Sequence, residues 1–131
     1  MIILFSLFLV IWFGGICEGI MDKIQFHYST SIFSTFKNTT YWNPEESWKN
    51  KYKNGNPLEG EKFFLSTTFL VSLTDAWHFF KLLRNAFVFA SLVFIGYMSD
   101  TFMCTIIYVI FARTLYGFGF WLSYGKLLSK K

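Results

Sequence analysis

The feature that most constrains the fold is a long apolar stretch, residues 85–112, which is interrupted only at Ser99-Asp100-Thr101. Neither arm shows the alternation of apolar and polar residues that is typical of a half-buried strand. Both arms together are too long and too apolar for a hairpin in the small core that a soluble chain of 131 residues can build. The pattern therefore predicts two membrane helices, spanning about 82–98 and 102–122, joined by a tight polar turn.

A second apolar run covers about residues 2–20, close to the length that a membrane helix needs. No Lys or Arg precedes the run and no small-residue cleavage site follows it, so we predict a retained span rather than a signal peptide. Gly15 and Gly19 form a G-x-x-x-G pattern on one face of this helix. The pattern is either a surface for close helix approach or a chance placement of two glycines.

The polar middle of the chain, about residues 21–81, is predicted to lie at the cytoplasmic face. Asn43 and Pro44, followed by two acids, form a helix start, and we expect that helix to reach about Tyr52 along the lipid surface. Residues 63–83 separate into a polar and an apolar half on a helical wheel. We interpret them as an amphipathic helix at the membrane interface; a fourth span is the alternative.

Taken together, these patterns predict an all-α integral membrane protein, a single domain over residues 1–131 with three spans, or four if the amphipathic segment also crosses. Hydrophobic residues make up 53% of the chain and charged residues 15%, and the net charge is +4. The basic residues flank the apolar runs, which indicates topology signals and argues against nucleic-acid binding. The positive-inside rule places the N-terminus outside and the C-terminus in the cytoplasm, in a bacterial inner membrane.

Two charged residues fall within the predicted spans, Glu18 and Arg113. A lone charge at the bilayer centre is costly, so we predict that these two side chains form an intramembrane ion pair. The alternative is a shorter third span, with Arg113 and Arg84 both reaching the interface from opposite arms of the hairpin.

One polar constellation has the residue types that chemistry requires. Asp75 and His78 are three apart, so they share a helical face, and the acid could orient the imidazole as a general base. Asp22 and His27 follow the first span at the same membrane surface. All four side chains are the candidate ligands of one divalent metal ion, with Asp75 and His78 as candidate catalytic residues. A structural polar seam is the alternative.

Residues 42–55 (W-N-P-E-E-S-W-K-N-K-Y-K-N-G), the triplet Ser66-Thr67-Thr68 and residues 74–78 (T-D-A-W-H) also resemble a group of known sequences. The chain resembles small bacterial membrane proteins of unassigned activity, over about residues 18–85. The resemblance implies that the polar middle is distinctive, and it implies no reaction.

Two functions therefore remain open at the level of sequence. The first is an accessory or interaction subunit of a larger membrane assembly, with a membrane-protein partner or a second copy of itself as well as the lipid bilayer. The second is a membrane-surface, metal-dependent hydrolase that acts on a lipid-linked substrate.

Overall fold

The computed structural model describes residues 2–130, apart from the side chain of Lys126. Within that range the regular elements are five α-helices, several short 3₁₀ turns and one π-helical turn, with no β-strand. The helices are α1 (Ile2–His27), α2 (Thr39–Trp42), α3 (Pro44–Ser47), α4 (Ala76–Met98) and α5 (Phe102–Leu122). The predicted all-α class is confirmed. Met1 and Lys131, to which the predicted domain extends, lie outside the described residues.

Three helices, α1, α4 and α5, are long and apolar enough to cross a membrane. They confirm the prediction of three helices that can span a membrane, and their apolar surfaces are consistent with contact with a lipid bilayer. The bounds differ from those expected at two points, because α1 continues to His27 and α4 already begins at Ala76. The earlier start of α4 follows from Asp75, whose side chain accepts a hydrogen bond from the His78 backbone N–H as an N-cap.

The predicted amphipathic helix over residues 63–83 is not formed, and so a fourth span is not formed either. Its first half consists of turns and a 3₁₀ segment, Phe69–Leu73, and only residues from Ala76 onward are α-helical. The Glu61 carboxylate accepts hydrogen bonds from the Thr67 hydroxyl and from the backbone N–H of Leu65 and Thr67. These local bonds, the Thr67 hydroxyl foremost, lower the pKa of Glu61 and hold the backbone away from helical geometry.

The predicted helix start in the polar middle is confirmed at Asn43. Its side chain accepts a hydrogen bond from the Glu45 backbone N–H at 3.1 Å, and Pro44 occupies the first helical position of α3. The α-helix ends at Ser47, and a 3₁₀ turn continues from Trp48 to Lys51. The element is therefore shorter and less regular than a helix reaching Tyr52.

Helix α1 lies at the centre of the bundle and packs along both α4 and α5, which contact each other only sparsely. One apolar cluster joins Leu7 and Ile11 of α1 to Ile95 of α4 near the tight turn. A second cluster, around Ile24, Phe33 and Ala76, lies at the opposite end and is covered by aromatic side chains. Both α4 and α5 pack on α1 with one face only, and so their outer faces are exposed.

The G-x-x-x-G pattern brings α1 and α5 into backbone contact. A methyl group added at Gly15 would overlap the carbonyl oxygen of Tyr116, and one added at Gly19 would overlap the Ser123 hydroxyl. In return, a methyl group at Gly119 of α5 would overlap the carbonyl oxygen of Trp12. The surface for close helix approach therefore serves an intramolecular contact, as small residues do in membrane interfaces generally.

The chain after α5 returns to the end of α1. It continues through a π-helical turn, Ser123–Leu127, and then the Ile32 N–H donates to the Leu128 carbonyl at 3.0 Å. Lys23 is 7% exposed as a residue, and its amine donates to the Tyr124 carbonyl at 3.0 Å and to the Ser129 hydroxyl at 2.8 Å. A buried amine with these partners fastens the last residues of the chain to α1.

Candidate functional site: a groove between α4 and α5

The divergence of α4 and α5 leaves a groove whose floor is α1. The cavity has a volume of about 690 Å³ and opens between the two outer helices. Toward the tight turn its walls are apolar, formed by Ile11, Leu92, Ile95 and Val109. Toward the other end the lining is polar and includes Glu18, Asp22, Arg84, Asn85, Arg113 and Tyr116. We define this cavity as the α4–α5 groove.

Glu18 is the centre of the polar end. Its carboxylate accepts hydrogen bonds from the Arg84 guanidinium at 2.6 Å and from the Tyr116 hydroxyl at 3.2 Å. The ion pair therefore links α1 to α4, and the phenol links α1 to α5. The Arg84 and Glu18 side chains are 24% and 27% exposed, so other protein atoms cover about three quarters of each. Such pairing offsets part of the cost of charge within the membrane.

The predicted pair of Glu18 with Arg113 differs from this arrangement, because Glu18 is held by Arg84. Arg113 lies in the same groove, and its guanidinium carbon is 6.0 Å from the centre of the Tyr116 ring. No carboxylate pairs with it among the salt bridges of residues 2–130. The physical reason is register. Tyr116, one turn beyond Arg113 on α5, is the residue that faces Glu18.

Arg84 and Tyr116 were not predicted as site residues. The alignment of α1 against α4 would have identified Arg84, and this alignment is visible in the contact between Leu7 and Ile95 near the turn. Glu18 lies about three helical turns further along α1 than Leu7, and Arg84 lies about three turns back along α4 from Ile95. An antiparallel alignment of the two helices therefore places Arg84 opposite Glu18, but composition and spacing alone do not select that alignment.

Asp75 and His78 lie together, as predicted, at the start of α4. Asp75 is 2% exposed, and its carboxylate is 2.8 Å from the His78 ring nitrogen Nδ1. Burial raises the pKa of Asp75, but hydrogen bonds from the His78 ring and backbone, and from Thr74, outweigh burial and lower it below the usual value. The carboxylate is thus ionised while it both caps the helix and orients the imidazole.

The four predicted metal ligands do not converge. Asp22 lines the α4–α5 groove, whereas the His27 ring nitrogen Nε2 lies 2.6 Å from the Tyr124 hydroxyl. Within residues 2–130 there is no group of three His, Cys, Asp or Glu side chains that could hold a metal ion. Asp75 and His78 therefore remain a two-residue pair. The other two predicted ligands, both on α1, make different contacts: Asp22 lines the groove and His27 lies against Tyr124.

No protein-family model, no curated protein and no solved structure matches the chain. The geometry of the described residues therefore supports the functional argument by itself.

Proposed function

We propose that the protein is an accessory or interaction subunit of a larger membrane assembly, and that the α4–α5 groove is where its partner binds. The observation on which this proposal rests is the shape of the bundle. Two spans pack on α1 and hardly on each other, which leaves an open, largely apolar groove with charged residues inside it. A surface of this kind, with polar groups at membrane depth, is typical of a place where another membrane component binds.

The proposal also agrees with the use of the glycine pattern within the chain. Since Gly15 and Gly19 already pack against α5, they are not available to a partner. The α4–α5 groove, in contrast, is open between two spans and combines a concave shape with a polar end.

The test is purification of the full chain from native membranes in a mild detergent. We expect one membrane protein to copurify in a fixed ratio, and Val109→Trp, which fills the groove, to abolish that copurification. Ile110→Trp is the matched control, because Ile110 is on the same helix and exposed but does not line the groove. Isolation of a stable lone monomer, or equal loss in both variants, would contradict the proposal.

A second candidate function is a membrane-surface, metal-dependent hydrolase of a lipid-linked substrate. The observation in its favour is the Asp75–His78 pair, since a carboxylate that orients an imidazole is found behind both metal-bound and general-base histidines. Elemental analysis of the purified protein and of His78→Ala tests this candidate. About one metal ion per chain that is lost in the variant supports a hydrolase, and absence of metal in both excludes the metal-dependent form.

We further propose a bacterial inner membrane as the location, with the N-terminus outside and the polar middle and C-terminus in the cytoplasm. Lys81 and Arg84 lie in the first three turns of α4, Lys130 follows α5, and the tight turn contains Asp100 without a basic residue. Fusion of a reporter that is active only in the cytoplasm tests this orientation. We expect activity from a fusion after Lys130 and none from one inserted at Asp100; the reverse result would invert the topology.

A further inference from the structure

Arg113 occupies an unusual position in the α4–α5 groove. It lies near the middle of α5 (Phe102–Leu122), it is exposed, and it lines the cavity rather than the outer surface of the bundle. At a rise of about 1.5 Å per residue it is roughly 17 Å from the start of α5, which is near the centre of a bilayer about 30 Å thick. A guanidinium at that depth is expensive unless an acceptor compensates it.

The carboxylates of the groove do not compensate Arg113. Glu18 is bonded to Arg84 and Tyr116. Gly15 of α1 lies against the Tyr116 backbone of α5. Asp22 is seven residues beyond Gly15 and Arg113 is three residues before Tyr116, so the two are separated by about 15 Å along the bundle. The Arg113 guanidinium contacts the Tyr116 ring at 6.0 Å, and that ring carries no net negative charge.

We propose that the groove receives a transmembrane helix of the partner protein, and that this helix has a carboxylate at mid-membrane depth which pairs with Arg113. This inference rests on the proposed function and names the chemistry of the partner. The walls beside Arg113 suit a helix, since Ser91, Ala112 and Gly117 are small and allow a second backbone to come close. Charge complementarity with Arg113 then sets the depth and rotation of the incoming helix.

Two other occupants fit the groove less well. A phospholipid phosphate lies at the interface, about 15 Å from the level of Arg113 in a bilayer of ordinary thickness. In a second copy of this chain, the acids within the described spans are Glu18 and Asp22. Both lie on α1, which forms the floor of that copy's own groove between α4 and α5. Neither carboxylate can reach into the groove of another copy unless α1 leaves its own bundle.

The experiment uses the full-length protein, labelled at its C-terminus, in vesicles of zwitterionic phosphatidylcholine. The probe is a synthetic transmembrane peptide of leucine and alanine with one glutamate at its centre, labelled for energy transfer. Peptides with glutamine or leucine at that position are the controls. We expect the glutamate peptide to associate at least ~10-fold more strongly than the leucine peptide, since a charge-assisted hydrogen bond contributes about 1.5–3 kcal/mol.

The matched protein variants are Arg113→Gln and Lys81→Gln. Arg113→Gln should remove the preference for the glutamate peptide over the glutamine peptide. Lys81→Gln should keep that preference, because Lys81 lies over the Trp77 ring and does not line the groove. Arg113→Glu tested with a central-lysine peptide checks the same contact by charge exchange, and it should recover the association. Helical circular dichroism of each variant shows that the bundle is intact.

Equal association of the glutamate and glutamine peptides with the wild-type protein, or an unchanged preference in Arg113→Gln, would overturn the inference. Loss of the preference when anionic phosphatidylglycerol replaces part of the lipid would overturn it in favour of a lipid occupant. The proposed function fails separately, if no partner copurifies from native membranes. A copurifying partner without a glutamate preference leaves the subunit role standing and refutes only the charge pair.

Discussion

At the scale of single residues, the glycines of α1 determine how closely α1 and α5 can approach. Gly15→Ala would place a methyl group on the Tyr116 carbonyl, so one backbone must move away from the other. We expect a loss of about 1–3 kcal/mol in the free energy of unfolding, the usual cost of overpacking. Titration of the protein in mixed micelles with a denaturing detergent, followed by circular dichroism, measures this loss.

The control for that substitution is Gly96→Ala in α4. Nothing lies within 4 Å of a methyl group added at Gly96, so the variant should be as stable as the wild type or gain up to ~1 kcal/mol from helix propensity. If both variants lose stability to the same extent, the contact between α1 and α5 is not what the glycines serve.

Glu18 and Arg84 form the ion pair that links α1 to α4. Glu18→Gln and Arg84→Gln should each destabilise the bundle, and the double variant should lose less than both losses combined. The coupling free energy should be on the order of 1 kcal/mol, as for other residues in direct contact. A double-mutant cycle of detergent unfolding gives that quantity.

The same cycle with Arg113→Gln in place of Arg84→Gln separates the observed pair from the one that the sequence suggested. Because Arg113 makes no direct contact with Glu18 and shares only the contact with Tyr116, the coupling of these two substitutions should be weaker than the coupling between Glu18 and Arg84. Coupling of Glu18 to Arg113 that equals or exceeds the coupling to Arg84 would show that the sequence-based pair is the correct one.

At the scale of elements, Asp75 decides where α4 begins. Asp75→Ala removes the N-cap and should cost about 1 kcal/mol, whereas Asp75→Asn keeps a capping oxygen and should cost less. The lowered pKa of Asp75 means that the carboxylate stabilises the fold fully above its unfolded pKa of about 3.9. That contribution is lost as the pH falls through the folded value, and circular dichroism during acid titration follows the loss.

Thr101→Ala provides the neutral comparison for this prediction. The Thr101 side chain caps α5 by accepting from the Cys104 backbone N–H, so its loss should destabilise the bundle at every pH. Both Asp75 variants should flatten the acid end of the stability profile, and Thr101→Ala should only lower it. A profile for Asp75→Asn that is parallel to the wild type would refute the role of the carboxylate.

How far each element could be predicted depends on which interactions decide it. The three spans follow from the length of their apolar runs, because burial in lipid outweighs every local preference. The segment before α4 was mispredicted because its polar side chains hydrogen-bond to backbone groups that lie close to them in the fold. The Ser66 hydroxyl donates to the Lys51 carbonyl, and the Thr74 hydroxyl donates to the Val71 carbonyl. A helical wheel counts such residues as a polar face and misses this competition.

The candidate site could be predicted only in part, since it depends on packing between helices. Charge within a span identified Glu18 and Arg113 as residues that need partners. The choice of Arg84 as the partner of Glu18 depends on the register of α1 against α4. That register is set by apolar contacts near the tight turn, which single-sequence patterns do not specify.

At the scale of the whole molecule, Lys23 connects the first span to the end of the chain. Lys23→Met keeps the apolar stem but removes the donors to the Tyr124 carbonyl and the Ser129 hydroxyl. We expect residues after Leu122 to exchange their amide hydrogens faster and to be cleaved sooner by protease, since two hydrogen bonds that hold them to α1 are lost. Hydrogen exchange followed by mass spectrometry measures this effect.

Lys49→Met is the control for Lys23→Met, because the Lys49 amine lies 5.9 Å from the Trp48 ring on the exposed surface and is far from the C-terminal segment in sequence. It should leave the exchange of residues after Leu122 unchanged. Unchanged exchange in Lys23→Met as well would show that the Lys23 amine does not retain the C-terminal segment, and that its backbone pairing with residues 30–32 and its other contacts are sufficient.

The glycine contact between α1 and α5 also imposes an order of assembly during synthesis. Gly15 is translated about a hundred residues before Tyr116, and at roughly 5–20 residues per second its packing partner is made some seconds later. Throughout that interval the glycine face of α1, Gly15 and Gly19, has no α5 to pack against. The α4–α5 hairpin, joined by its short turn, can insert as a unit and then pack on α1. The bundle can therefore form only after this hairpin has entered the membrane.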